Sequence, residues 1–583
     1  MQKVLNQVGA KHSMPFGAEV MADGGVRFRV WAPGAKQVEL VFEGVQRAAT
    51  PLKKTGQGWF EHIDPQAGSG TLYRYRIDGE LLVPDPASRF QPRDVDGPSE
   101  VIDAHAFQWT DHAWAGRPWN EAVIYELHVG TFTAEGTYAG VTKKIDYLKD
   151  LGVTAIELMP LSDFAGRRNW GYDGVLPFAP DSAYGRPEDL KALIDAAHAA
   201  GLMMLLDVVY NHFGPKGSYL HRYAPLFFTE RHKTPWGAAI DFSNEIVREY
   251  FVHNVLYWLA EYRFDGLRFD AVHAIIDESP KHVLDEICDT VKALFPSPKH
   301  LVLENDANQA RFIGPGRYTA QWNDDSHHAY HVLATGESDG YYVAYADEPA
   351  RHLARCLAEG FAYQGEVSPF NDEPRGEPSA HLPASCFVDF LQNHDQVGNR
   401  AFGERITQLS EERALKALVG IYLLAPSPPL IFMGEEWGCR QPFLFFCDFE
   451  GELGEAVRKG RREEFARFGA FRDPAVRERI PDPLADSTFG QCVLDWARRD
   501  AGWLAHYKQL LHLRKRAIAP RKFGPGKYRM LGARAFEVRW NGLMLLANCG
   551  AQPVVIDRVP REQPLWTNGP PGSAWSVAWW IKD

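Results

Sequence analysis

The sequence predicts an α/β protein: a (β/α)8 barrel with a β-sandwich before it and another after it. Three observations predict this. From Ala122 onward, short apolar runs alternate with helix-length segments, the pattern of a parallel sheet whose strands are joined by helices. Asp207, Asp270, Glu304 and Asp395 stand at the ends of four of these runs, where a closed parallel barrel carries its chemistry. The chain on either side reads as short alternating strands broken by Gly and Pro.

At 583 residues the chain is long enough for two or three domains. Residues 1–105 read as the first sandwich, with strands at Val26–Trp31, Val38–Phe42 and Thr71–Ile77; residues 89–100 form the linker out of it. Residues 106–515 read as the barrel. Its eight strands fall within 122–128, 153–158, 202–210, 264–270, 300–304, 319–322, 386–392 and 429–433. Residues 516–583 return to β-like runs at Ala535–Trp540, Leu543–Ala547 and Val554–Ile556, the second sandwich.

Composition narrows the function. Apolar residues at 45% and charged residues at 24% are ordinary for a globular protein. A formal charge of −12 gives no basic surface for phosphates, so a nucleic-acid partner is not expected. The basic run at 458–468 is interleaved with Glu463 and Glu464 and reads as a solvated helix face. No continuous apolar segment of an export signal is visible over residues 1–20. The apolar stretch 417–434 is cut by Pro426, Pro428 and Pro429, so no membrane-spanning helix is expected. Seven cysteines without a Cys-x-x-Cys pair suit a reducing cytoplasm rather than a disulfide framework or a zinc site.

The strand-end carboxylates point to glycoside hydrolysis, which needs one ionised carboxylate to attack the anomeric carbon and one protonated carboxyl to release the leaving oxygen. Arg268 and Asp270 are two apart on a strand and share a face, so the guanidinium favours ionised Asp270 as nucleophile. Glu304 ends the next strand, where the nearby negative charge favours its protonated form as the acid. Asp395 after the seventh strand is the third carboxylate, placed to bind ring hydroxyls of the distorted sugar.

Four segments, 207–212 (DVVYNH), 265–270 (DGLRFD), Glu304 at a strand end and 393–395 (NHD), resemble in order the four short motifs of the α-amylase superfamily. The resemblance runs over nearly the whole chain and implies that the first sandwich is of the carbohydrate-binding-module kind. It implies that Tyr172 stacks at the −1 sugar, that His212, Arg268 and His394 bind its hydroxyls, and that Asp207 shapes the site from behind. The longer segments 270–279, 320–342, 390–406 and 431–438 resemble the malto-oligosyltrehalose trehalohydrolases within that superfamily. That resemblance implies hydrolysis of the α-1,4 bond beside a terminal trehalose, a maltooligosyltrehalose substrate, and a pathway link to the synthase that makes that end. Branching or debranching of α-glucan is the alternative enzyme reading, and a catalytically silent glucan-binding protein a third.

For the leaving-group side, His273, Asp324, Gln396 and Glu436 are the expected polar contacts and Trp437 the stacking wall. Trp170 is a second candidate platform, whereas Phe443, Phe445 and Phe446 read more readily as packing. No catalytic metal or organic cofactor is expected. In many relatives the position of Asn211 helps hold calcium, but residues 211–262 offer no obvious carboxylate cluster to complete the shell.

Overall fold

The structure, a computed structural model, describes residues 14–234, 236–466 and 473–582. Most of the segment read for an export signal, residues 1–13, and the end of the basic run, 467–468, lie outside the described residues. Among the described residues no helix is long and apolar enough to cross a membrane.

The first sandwich packs two antiparallel sheets. Gly17–Val20, Val26–Trp31, Trp59–Asp64 and Lys53–Lys54 form one; Val38–Phe42, Leu72–Ile77 and their shorter neighbours form the other. Alternation does the work: Val26, Phe28 and Val30 from one sheet and Leu40, Tyr73 and Tyr75 from the other are buried between them. The sandwich is tied to the barrel by polar bonds as well as apolar contact. Tyr250 Oη donates to Pro86 O at 2.6 Å, and Gly34 N donates to Tyr223 O at 2.9 Å.

The barrel strands are β1 (Ile124–Leu127), β2 (Ala155–Leu158), β3 (Met203–Val208), β4 (Gly266–Phe269), β5 (His300–Leu303), β6 (Ala320–Trp322), β7 (Phe387–Phe390) and β8 (Pro429–Phe432). They pair in parallel in that order and close, β8 on β1. All eight lie inside the segments expected from the sequence. The outer helices are α1 (Ile145–Leu151), α2 (Pro187–Ala200), α3 (Glu245–Ala260), α4 (Val283–Leu294), α5 (Asp324–Thr335), α6 (Pro349–Glu359), α7 (Glu412–Tyr422) and α8 (Ala501–Ala517). Their starts are written locally: Asn244 accepts from Ile246 N at 3.0 Å to open α3, and Asp500 accepts from Gly502 N and Trp503 N at 2.8 and 2.9 Å to open α8. Between β5 and β6 a loop with one short helical turn, Ala310–Phe312, replaces a full helix.

Because side chains alternate along a strand, the barrel interior is layered. Ile124, Ala155, Leu205, Val302, Ala320, Val388 and Leu430 form a closed apolar lower layer. Two residues on, at the C-terminal ends of β1 to β4, the same inward face carries Glu126, Glu157, Asp207 and Arg268. The barrel therefore changes from apolar to charged within one turn of side chains.

The C-terminal region is sheet, as expected, but it is one five-stranded antiparallel sheet rather than two packed sheets. Its strands are β9 (Lys527–Met530), β10 (Ala535–Trp540), β11 (Leu543–Asn548), β12 (Trp566–Thr567) and β13 (Ser576–Ile581). The barrel supplies the second layer. Helices α6 and α7 pack on this sheet, and Trp579 Nε1 donates to Gly420 O of α7 at 2.9 Å. Val554–Ile556, expected as a strand, lies in a loop that covers the other face, where Ile556 packs on Met544, Leu546 and Trp580.

The helix carrying the basic run, Gly451–Phe465, is not solvated all round. Arg461 turns inward and donates to Gly398 O at 2.8 Å and Arg400 O at 3.2 Å, which anchors the loop after β7.

Candidate active site

Arg268 organises the site. Its side chain is fully buried on β4, with the guanidinium 4.1 Å over the ring of Trp322 from β6. From there Nη1 donates to Asp207 Oδ2 at 2.6 Å and to Asp270 Oδ1 at 2.9 Å, while Nη2 donates to Glu304 Oε2 at 2.7 Å. One cation thus touches the three carboxyl groups that end β3, β4 and β5.

Asp270 is pinned at both ends. Asn211 Nδ2 donates to its carbonyl oxygen at 3.1 Å and to its Oδ2 at 2.9 Å. The chain then turns through Ala271 at φ 41°, ψ 50°, a left-handed conformation that costs a residue with a Cβ about 1–2 kcal/mol. That turn aims the Ala271 N–H at Glu304 Oε2, 2.9 Å away, and the next N–H, of Val272, at the Glu304 carbonyl, also 2.9 Å.

Electrostatics act on Glu304 and Asp207. Burial pushes the Glu304 carboxyl above its ordinary range, and the charge of Asp270 pushes the same way against Arg268. Burial is a larger cause than the charge of Asp270, which is the cause expected from the sequence. Asp207 is pushed up to about 7 by burial, against Arg268. Its Oδ2 receives both Arg268 Nη1 and, at 2.7 Å, Tyr172 Oη, a donor set that suits the ionised form.

Tyr172 and His394 stack ring on ring, 5.0 Å apart at 23°. Asp395 is half-buried in the short helix His394–Gly398, whose cap Asn393 accepts from the Asp395 and Gln396 N–H groups at 2.9 and 3.3 Å. His394 Nε2 lies 3.5 Å from Asp395 Oδ1. His212 is engaged by protein on all sides: Nδ1 with Asn211 Oδ1, Nε2 with Tyr172 O at 3.0 Å, and its face with Trp236 at 4.1 Å and 8°. Burial lowers it to about 4, and with both ring nitrogens facing protein oxygens it braces Asn211 and Tyr172 rather than offering a free N–H to sugar.

Two of the residues expected on the leaving-group side, His273 and Asp324, lie near Glu304, and Gln396 stands in the helix after β7. His273 is exposed and its Nδ1 accepts from Asp306 N at 3.3 Å. Asp324 opens α5 and is pushed well above the ordinary range by burial, with the charges of Glu304 and Asp306 adding. Gln396 is half-buried, and its Oε1 has no hydrogen-bond partner among the described residues.

Glu436 and Trp437 do not join them. The turn Glu435–Trp437 after β8 carries both outward, beneath the helices. Glu436 is 0% exposed and accepts from Tyr125 Oη at 3.1 Å and Tyr147 Oη at 2.9 Å; Trp437 is 1% exposed and packs on Trp496. Both are corrected to structural roles. Trp170 is likewise buried, stacked on Phe443 at 5.3 Å and 18° with Nε1 on Leu444 O at 2.9 Å, so it supports the site from below. Phe446 is buried in the same packing.

Sequence reasoning missed Glu126, Glu157, Trp322 and the bond from Asn211 to Asp270. A glutamate inside each of the apolar runs IYEL and AIEL was the available signal for the first two. Among the described residues no three His, Cys, Asp or Glu side chains are grouped to hold a metal ion.

Comparison with known proteins agrees with this geometry. Residues 89–226 match the α-amylase catalytic domain, and residues 15–88 match carbohydrate-binding module 48, the isoamylase N-terminal domain. The malto-oligosyltrehalose trehalohydrolase of Deinococcus radiodurans is 44% identical, over 84% of this chain and 81% of its own length. That of Saccharolobus solfataricus is 41% identical, over 86% and 87%. A crystal structure from Salmonella typhimurium, of a protein named for the alpha amylases, is 44% identical and superposes with a TM-score of 0.93 over 98% of this chain and 100% of its own.

A closed barrel with strand-end carboxylates and an α-amylase catalytic domain defines a glycoside hydrolase of the α-amylase superfamily. With such identity over more than four-fifths of both chains, the chain belongs to the malto-oligosyltrehalose trehalohydrolase family.

Proposed function

We propose that this enzyme hydrolyses the α-1,4 bond beside the terminal trehalose of a maltooligosyltrehalose and releases trehalose, with retention at the anomeric carbon. The observation that carries the chemistry is the Arg268 guanidinium, which holds Asp270 and Glu304 on its two Nη atoms. A single fork spanning both groups suits the separation of about 5–5.5 Å that a covalent glycosyl-enzyme requires.

Asp270, oriented by Arg268 and Asn211, attacks the anomeric carbon while Glu304, kept protonated by burial, gives its proton to the leaving oxygen. Glu304, now ionised, takes the proton of the water that cleaves the intermediate. Tyr172, His394 and Asp395 receive the −1 sugar, and Asp207 holds Tyr172 and Arg268 from behind. His273, Asp324 and Gln396 meet the trehalose unit, whose α,α-1,1 link turns its last ring away from the line of a straight glucan. Hydrogen bonds to those hydroxyls discriminate strongly, because a straight glucan leaves the same groups unpaired.

The family relatives carry this name, which supports the trehalose-releasing reading over branching or debranching. We place the enzyme in the cytoplasm, where its seven buried free cysteines stay reduced, downstream of the synthase that forms the trehalose end. The test is product analysis on maltopentaose carrying a reducing-end trehalose, run beside plain maltopentaose, amylose and a branched glucan. Trehalose released from the capped substrate much faster than plain maltopentaose is cut supports the proposal; equal rates, or new branches on amylose, overturn it.

A further inference from the structure

Glu126 lies at the C-terminal end of β1 and is 1% exposed, yet it reaches a residue 268 positions later. Its Oε1 is 2.5 Å from His394 Nδ1, and its Oε2 accepts the backbone N–H of the same histidine at 3.2 Å. A carboxylate that grips one residue by ring and main chain at once fixes both the position of the ring and its proton. With Nδ1–H committed to Glu126, Nε2 is a hydrogen-bond donor only when the ring is charged.

We propose that Glu126 is a positioning residue of the −1 site, which holds His394 as a charged ring and presents its Nε2–H, beside Asp395, to the hydroxyls of the sugar. This rests on the glycosidase reading above, though not on trehalose as the leaving group.

The surroundings support it. Facing His394 are Glu126 from β1, Glu157 from β2, Arg268 from β4, Asp395 from its own helix, His128 from the loop after β1, and the Tyr172 ring. Burial and Arg268 disfavour the charged ring, but Glu126 and Asp395 outweigh them and raise His394 to about 9. Glu157, beside Glu126 in register, has both carboxyl oxygens buried without a hydrogen-bond partner among the described residues, and burial pushes it well above the ordinary range. A neutral Glu157 leaves Glu126 as the carboxylate that serves the histidine. His128 is lowered to about 4, chiefly by burial, and remains neutral.

The experiment compares wild type with Glu126→Gln in two readouts. The first is the imidazole titration of His394 in 15N-histidine-labelled enzyme, its signal identified by loss in His394→Asn. The second is the pH profile of kcat/KM on an activated aryl maltooligoside, which tests the −1 site whatever the natural leaving group is. In wild type, His394 should stay charged to above pH 8 and activity should fall as it deprotonates. In Glu126→Gln, both the titration and the alkaline limb should move down by at least about one pH unit. Titration and limb unmoved in the folded variant overturn the proposal. So does a wild-type His394 that titrates near 6.5, a result that stands even if Glu126→Gln does not fold. Failure to release trehalose from the capped substrate, with these shifts present, would remove the trehalose assignment and leave the role of Glu126 intact.

Discussion

Replacing Arg268 by Lys tests the centre of the site, because charge is kept while geometry is lost. The guanidinium spans Asp207 and Asp270 with one nitrogen and Glu304 with the other, at 2.6, 2.9 and 2.7 Å, and lies flat 4.1 Å above Trp322. A single ammonium cannot occupy both nitrogen positions, so at least one charge-assisted bond goes, worth about 1.5–3 kcal/mol. The stacking on Trp322 adds roughly 0.5–1 kcal/mol more. A combined loss of about 2–4 kcal/mol in transition-state stabilisation lowers kcat/KM roughly 30- to 1,000-fold. Initial rates on trehalose-capped maltopentaose, with near-UV circular dichroism to establish folding, measure it. A folded variant within threefold of wild type would refute the idea that one forked cation sets the spacing of Asp270 and Glu304.

The remaining predictions concern the other carboxyl groups. Asp270→Asn should abolish turnover while capped substrate still binds, and calorimetric titration measures the second half; near-normal rates would remove the nucleophile assignment. Glu304→Gln should slow the natural substrate far more than an activated aryl glucoside, which needs little proton donation; equal losses would count against the acid role. Glu436→Ala takes the acceptor from the buried Tyr125 hydroxyl and the half-buried Tyr147 hydroxyl and should cost about 2–4 kcal/mol of stability. Its preference for capped over plain maltopentaose should be unaltered, and a changed preference would return Glu436 to the binding site. Glu157 has its folded-state pKa raised above the ordinary carboxylate range, so between the two values the folded chain holds a proton that the unfolded chain has released, and stability falls as pH rises. Glu157→Gln removes that dependence, so melting temperature relative to wild type should be higher at pH 8 than at pH 5; a constant difference would mean that Glu157 is ionised in the fold.

The barrel was legible because each strand is a short, nearly continuous apolar run, and the Arg268–Asp270 pair because the two share a face two residues apart. Relations across the barrel were not legible. Glu126 could be seen as a charge inside IYEL, but its partner lies after β7, and only closure of β8 onto β1 brings the two together. Glu436 shows the opposite failure. Its position after a barrel strand suggests the rim, yet Gly434 at φ 87° turns the chain outward, and Tyr125 and Tyr147 take the carboxylate below the helices. Val554–Ile556 has β-branched residues but takes no strand place, because Trp566–Thr567 and Ser576–Ile581 complete the sheet instead.

Ala271 carries a consequence for how this site can be altered. Its left-handed peptide joins Asp270 to the N–H that meets Glu304, so a torsion of the main chain works beside the Arg268 fork in spacing the two carboxyl groups. Moving the carboxyl groups apart by shortening one side chain would strand that N–H without resetting the peptide. On the retaining mechanism proposed, redesign toward inversion would begin at position 271, where glycine removes the left-handed penalty and lets the peptide rotate. The spacing of the two carboxyl groups is in this sense stored partly in the backbone.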